Sequence, residues 1–175
     1  MVQLTKRINS KTKGSSFENI IAKKLSKAFA PLNFKRVQSS GAITGGSNAK
    51  NNWKFSSKML SAFVGDLFVA NEDDVFQSEQ WKFKFSIECK FYAESDNFSA
   101  LFKNPKILTW WTQALTDSAK VNKEPLLICK FNHTPIFIGF KCESPTTISR
   151  IIQINDLKLC LFDEAILDSN WWKQI

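Results

Sequence analysis

A single histidine is the sharpest restriction in this 175-residue sequence. His133 stands in "FNHTPIF", which reads as a hairpin turn between apolar runs. A lone turn histidine is a poor start for a histidine-based triad, and HExxH proteolysis or multi-histidine metal chemistry has no second ligand here. Hydrolytic chemistry would therefore rest on carboxylates, lysine and a hard metal ion. The four cysteines, Cys89, Cys129, Cys142 and Cys160, include no CxxC pair, so small buried thiols are expected in place of a zinc site. No apolar run approaches the roughly 20 residues that span a bilayer, and the start "MVQLTKRINSKTKG" carries no apolar signal core. The expectation is a soluble, cytoplasmic protein with no membrane partner.

Acidic residues are also in deficit. Twenty-four Lys and Arg against sixteen Asp and Glu leave a net charge of +8. Such an excess suits a polyanionic partner, nucleic acid first and an anionic membrane surface second. No basic amphipathic segment with a lipid-facing side supports the membrane. With 43% hydrophobic residues, the chain suffices for one globular domain with a sizeable core.

Residues 1–13 hold four basic residues and no acid, and are expected to form a flexible basic arm ahead of a single domain over 14–175. In "GSSFENIIAKKLSKAFA", Phe17, Ile20, Ile21, Leu25, Ala28 and Phe29 recur at helical spacing, and Pro31 ends the element. "NFKRVQ" reads as a short strand, "SSGAITGGSNAKNN" as a loop and "SAFVGDLFVA" as a second strand. From Trp81 to Tyr92 apolar residues alternate with mostly polar ones, predicting one long strand. Residues 105–121 fit a helix with Pro105 in its first turn and Ile107, Leu108, Trp111 and Leu115 as its stripe. "PLLICKF" and "PIFIGFK" predict strands around the His133 turn. Short strands near 150–154 and 158–162 and a helix near 163–170 follow. This order predicts a compact α/β domain with a central mixed sheet flanked by helices.

Three acids occupy places that simple packing would not choose. Asp66 follows Gly65 inside an apolar run, where a carboxylate is costly to bury unless paired or bound to a metal. Glu88 and Lys90, at i and i+2, share one face of the following strand. If the two strands are neighbours, Asp66 and Glu88 can converge on one hard cation with Lys90 beside it. Glu18 falls between Leu25 and Phe29 on the helical wheel, inside the apolar stripe. Ser15-x-x-Glu18 also has the form of a capping box, so both a helix cap and a catalytic acid remain open for Glu18. The acids Glu72, Asp73 and Asp74 read as a solvated turn, since phosphates would be repelled there.

In that order "KGSSFENIIAKKL", "QSSGAITG", "VGDLFV", "IECKFY" and "WWTQA" resemble the PD-(D/E)xK nuclease superfamily, and within it the archaeal and viral Holliday-junction resolvases, over residues 13–141. The resemblance implies a restriction-endonuclease-like core and a metal-dependent endonuclease acting on branched DNA. It makes Glu18 the helical acid, Asp66 the motif aspartate and Glu88 and Lys90 the E-x-K pair. Ser40 resembles the loop serine and Gln113 the glutamine on the helix after the sheet. Asp66, Glu88, Glu18 and the backbone carbonyl of Cys89 would hold Mg²⁺, with Mn²⁺ as a substitute. Gly65 stands where the motif has proline. Lys6, Arg7, Lys11 and Lys13 in the arm, and Lys35, Arg36, Ser39 and Lys50 about the Gly/Ser loop, are candidate DNA contacts. Two cuts in a symmetric junction imply a homodimer, for which Trp- and Phe-rich segments could supply a surface. The alternatives are a sequence-specific restriction-type or other nuclease of the superfamily, and a non-catalytic nucleic-acid-binding module.

Overall fold

The computed structural model describes residues 10–38, 63–71, 82–92 and 105–174. Helix α1 (Ser10–Ala28) leads to strand β1 (Phe34–Arg36), then β2 (Leu67–Val69), β3 (Lys82–Phe83) and β4 (Phe85–Tyr92). Helix α2 (Pro105–Lys120) crosses to β5 (Glu124–Phe131), followed by β6 (Ile136–Phe140), β7 (Ile152–Ile154) and β8 (Leu157–Leu161). A short helix α3 (Phe162–Ala165) and strand β9 (Lys173–Gln174) complete the chain. Seven strands form one sheet in the order β1-β2-β4-β5-β6-β8-β7, and β3 pairs separately with β9. Strands β4 and β5 run parallel, whereas β2–β4 and β5–β6 are antiparallel. Parallel neighbours need a crossover connection, and α2 supplies it. The expected α/β core with a mixed sheet and flanking helices is what the chain forms.

Each sheet face has its own helix. Phe17, Ile21 and Leu25 recur every four residues on α1 and are buried with Ile87, Cys89, Leu126 and Ile128. Each such side chain contributes about 1.5–3 kcal/mol by leaving water. On the opposite face Ile107, Trp111 and Ala114 of α2 pack on Leu127, Cys129, Phe137 and Leu159. The Trp111 indole N–H donates to Asp156 at 3.1 Å, tying α2 to the β7–β8 turn.

Several expectations need correction. Helix α1 begins at Ser10, so residues 10–13 of the expected arm are helical. Ile20 and Ala28 lie outside its buried stripe, Ile20 being 50% exposed. The alternating stretch is two strands. At Lys84 the N–H donates to Trp172 O at 3.4 Å and the carbonyl accepts from Glu124 N–H at 2.9 Å, so the chain passes from the small sheet to the large one. The last helix is one turn, because Asp168 accepts from the backbone of Trp171 and Thr146 and turns the chain. Trp171 and Trp172 are therefore buried, Trp172 to 1% exposure, against Phe85, Phe83 and Phe29. They belong to the core and offer no dimer surface. His133 does sit in the β5–β6 turn, with φ 60°.

Candidate active site

The site forms where the short β2 meets the long β4. The expected second strand is only Leu67–Val69, and Asp66 stands at its entrance. Gly65 makes this possible. Its φ is +81°, and a Cβ there would lie 2.8 Å from Ile87 O and 3.1 Å from Ser86 Oγ. Glycine alone tolerates both the left-handed backbone and the close approach. The proline of the family motif, with φ locked near −65°, has no place at this position.

Beyond that bend Asp66 is pinned on three sides. Its N–H donates to Ile87 O at 2.7 Å, and its carbonyl accepts from Val37 N–H at 2.9 Å. Its Oδ2 accepts from Cys89 N–H at 2.8 Å. The last bond holds the carboxylate against the backbone between Glu88 and Lys90, so the two strands do bring Asp66 to the E-x-K pair.

Glu88, Lys90 and Tyr92 occupy the α2 face of β4, in register with Leu127, Cys129 and Phe131 of β5. Glu88 is only 3% exposed. Its Oε1 accepts from Gln113 Nε2 at 2.7 Å and from the Lys90 ammonium. Burial, then the Asp66 charge, pushes the Glu88 carboxyl up to about 7; Lys90 pulls it down and Asp117 of α2 adds to the rise. Burial disfavours the charged Lys90, but the Glu88 carboxylate outweighs this and holds its pKa above the ordinary lysine value. The Cys89 thiol points to the other face and is raised well above its usual range by burial and by Asp66. It stays protonated, which removes thiolate chemistry from the site.

Glu18 lies on the α1 side of the sheet. Ser15 is the sixth residue of α1 and its hydroxyl donates to Thr12 O, so the capping-box reading fails. The Glu18 carboxylate instead accepts from Arg36 Nε at the end of β1. Arg36 is the β-partner of Leu67, which places this ion pair beside the Asp66 bend. Lys35 is exposed on β1. Lys13 donates to Asn132 Oδ1 at 3.4 Å and lies 5.2 Å over the Phe91 ring. Lys6, Arg7, Ser39, Ser40, Lys50, Glu72, Asp73 and Asp74 lie outside the described residues, as does the side chain of Lys11. Sequence reading missed Asp117, four residues after Gln113, although that spacing puts both on one face of α2.

The donor set fits a hard divalent cation. Asp66 and Glu88 offer carboxylate oxygens, and a buried carboxyl raised by a neighbouring negative charge is relieved by a cation. Among the described residues no three His, Cys, Asp or Glu side chains group closely enough to hold one alone. Further ligands would come from a backbone carbonyl, water or substrate phosphate, a mixture that suits Mg²⁺.

An α/β restriction-endonuclease-like core carrying an E-x-K pair on a central strand, with an aspartate from the neighbouring strand against it, defines the PD-(D/E)xK nuclease class. Residues 9–159 match the family described as "Phage putative PDDEXK endonuclease", and the chain belongs to that family of nucleases. No curated protein and no solved structure matches the chain. Among the described residues, no helix is long and apolar enough to cross a membrane.

Proposed function

We propose that this nuclease is a Mg²⁺-dependent endonuclease that hydrolyses phosphodiester bonds in branched DNA, as Holliday-junction resolvases do. In this reading it works as a homodimer in the cytoplasm of a prokaryotic or phage-infected cell. The observation that carries the reading is the pinned Asp66 carboxylate beside buried Glu88 and Lys90. The +8 charge supports a DNA substrate.

In the hydrolysis the water oxygen bonds to phosphorus, one P–O ester bond breaks, and the leaving oxygen takes up a proton. A divalent cation, Mg²⁺ or Mn²⁺, held by Asp66, Glu88 and the Cys89 carbonyl, would neutralise phosphate charge and lower the pKa of water. Glu18, paired with Arg36 on the α1 side, stands apart from this pair of acids. Lys90, already donating to Glu88, has further N–H groups to orient the attacking water and meet the developing negative charge. Gln113 keeps Glu88 turned toward the lysine. Ser40 is proposed as an assisting group on its loop. Lys6, Arg7, Lys11, Lys13, Lys35, Arg36, Ser39 and Lys50 are proposed to take phosphates along the substrate.

The test offers a labelled four-way junction and a matched linear duplex to the protein with Mg²⁺, alongside Asp66→Asn and Glu88→Gln variants. Paired cuts confined to the junction, lost by at least about 100-fold in both variants while binding persists, are expected. Cutting at fixed sequences in the duplex would replace the junction reading with a restriction-type one. Tight binding without cleavage under Mg²⁺ or Mn²⁺ would overturn the enzymatic reading.

Arg36 gives a smaller prediction. Its pair with Glu18 is partly solvated, so Arg36→Ala should change unfolding free energy by no more than about 1 kcal/mol. DNA affinity should fall at low salt, with a shallower salt dependence by titration. An unchanged salt slope would remove Arg36 from the phosphate contacts.

A further inference from the structure

Beyond Lys90 the same face of β4 changes character. Tyr92 is the next residue on the α2 face of β4, about 7 Å further along the strand. Its ring packs against Trp110 of α2 at 6.0 Å between centroids, and Trp110 meets Phe131 of β5 at 5.9 Å with planes 33° apart. Trp110 stands one helical turn before Gln113, the residue bonded to Glu88, so the acid site and the three rings lie along one seam between β4 and α2. All three rings are only partly buried. Lys106, one turn further back on α2, lies 3.8 Å over the Tyr92 ring and donates to its hydroxyl. Residual aromatic surface bordered by the Lys106 ammonium, beside the Glu88–Lys90 site, has the composition of a nucleobase-stacking platform.

We propose that Trp110, flanked by Tyr92 and Phe131, stacks an unpaired nucleobase of the DNA strand whose phosphate lies at Lys90. The proposal rests on the nuclease reading of Asp66, Glu88 and Lys90 and adds what selects the substrate. Bases inside a duplex are already stacked and offer only their edges in the grooves. A base at a branch point, flap or bulge has a free π-face, and every base has one, so the preference is for unpaired structure and not for sequence. Lys106 would meet the phosphate that accompanies the stacked base.

The test uses the full chain carrying Asp66→Asn, so that binding is read without cleavage. Its probes are a duplex and the same duplex with a single-stranded flap holding 2-aminopurine next to the branch. Flap binding should be tighter than duplex binding, and 2-aminopurine fluorescence should be quenched on binding. Adding Trp110→Leu should weaken flap binding about 10-fold, leave duplex binding within about twofold and abolish the quenching. Trp110→Phe should restore most of the flap affinity. Equal loss on both DNAs, or no loss on either, would overturn the stacking proposal. Should Trp110→Leu fail to fold, absence of quenching with Trp110 intact decides against it. The protein with Asp66 present separates the two readings. Flap-selective binding and quenching without cleavage under Mg²⁺ or Mn²⁺ keeps the stacking proposal and sinks the nuclease reading. Cleavage with no preference for unpaired bases sinks the stacking proposal alone.

Discussion

Replacing Gly65 with alanine should lower stability by about 3 kcal/mol or more and reduce cleavage beyond what the stability loss explains. Two costs combine. A non-glycine residue in the left-handed region costs roughly 1–2 kcal/mol. The new Cβ also meets backbone, Ile87 O at 2.8 Å, which cannot swing aside as a side-chain tip would. Relief requires β2 to move away from β4. That movement breaks the Asp66 N–H bond to Ile87 O and the Cys89 N–H bond to Asp66 Oδ2. For a chain of this size the melting temperature should drop by about 6–12 °C. Gly65→Pro should be worse, because its ring forbids the observed φ of +81° outright. Thermal denaturation read beside cleavage well below the melting temperature checks both statements. An alanine variant that melts like the parent would show that the bend is not needed.

That residue also marks where the sequence stopped being legible. The motif pattern identified the Gly65-Asp66 step and the E-x-K pair, and strand periodicity put Glu88 and Lys90 on one face. Periodicity could not say that this face is covered. Ser86 and Glu88 are buried because α2 crosses over them, a contact formed by elements some 25 residues apart in the chain. Nor did the even positions, by themselves, hint that the Glu88 carboxyl would be raised toward neutrality. The same blindness to distant partners applies to Glu18. Ser15-x-x-Glu18 has the local form of a cap, yet α1 starts five residues earlier and Arg36 of β1 claims the carboxylate. Alternation from Trp81 to Tyr92 hid a strand break for a related reason. Lys82 and Phe83 pair with Gln174 and Lys173, at the far end of the chain. Local signals carried the element types and the motif. Tertiary contacts decided which polar groups are buried and by whom they are met.

The burial of Glu88 leads to the second large effect: without divalent metal, Glu88→Gln should be more stable than the parent at pH 8, by about 3 kcal/mol. The Glu88 carboxyl titrates at about 7 in the folded protein against 4.5 for the ordinary group. A carboxyl with a raised folded pKa holds its proton more tightly in the folded state. Its effect on stability is therefore neutral below the unfolded pKa, turns destabilising as pH climbs from about 4.5 to 7, and is constant above that. Glutamine can still accept from Gln113 and Lys90 but carries no charge to desolvate. The difference between the two proteins should thus be small near pH 4 and reach its full size by about pH 8, with cleavage lost throughout. Metal reverses the ranking. Mg²⁺ or Mn²⁺ should raise the melting temperature of the parent with an apparent affinity that increases up to about pH 7, since binding displaces a proton from Glu88. The glutamine variant should show a much smaller shift. Melting curves across pH, with EDTA or with millimolar Mg²⁺, read all of this. A parent whose metal-free stability does not fall between pH 5 and 7, relative to Glu88→Gln, would show that Glu88 does not carry the buried charge on which the site depends.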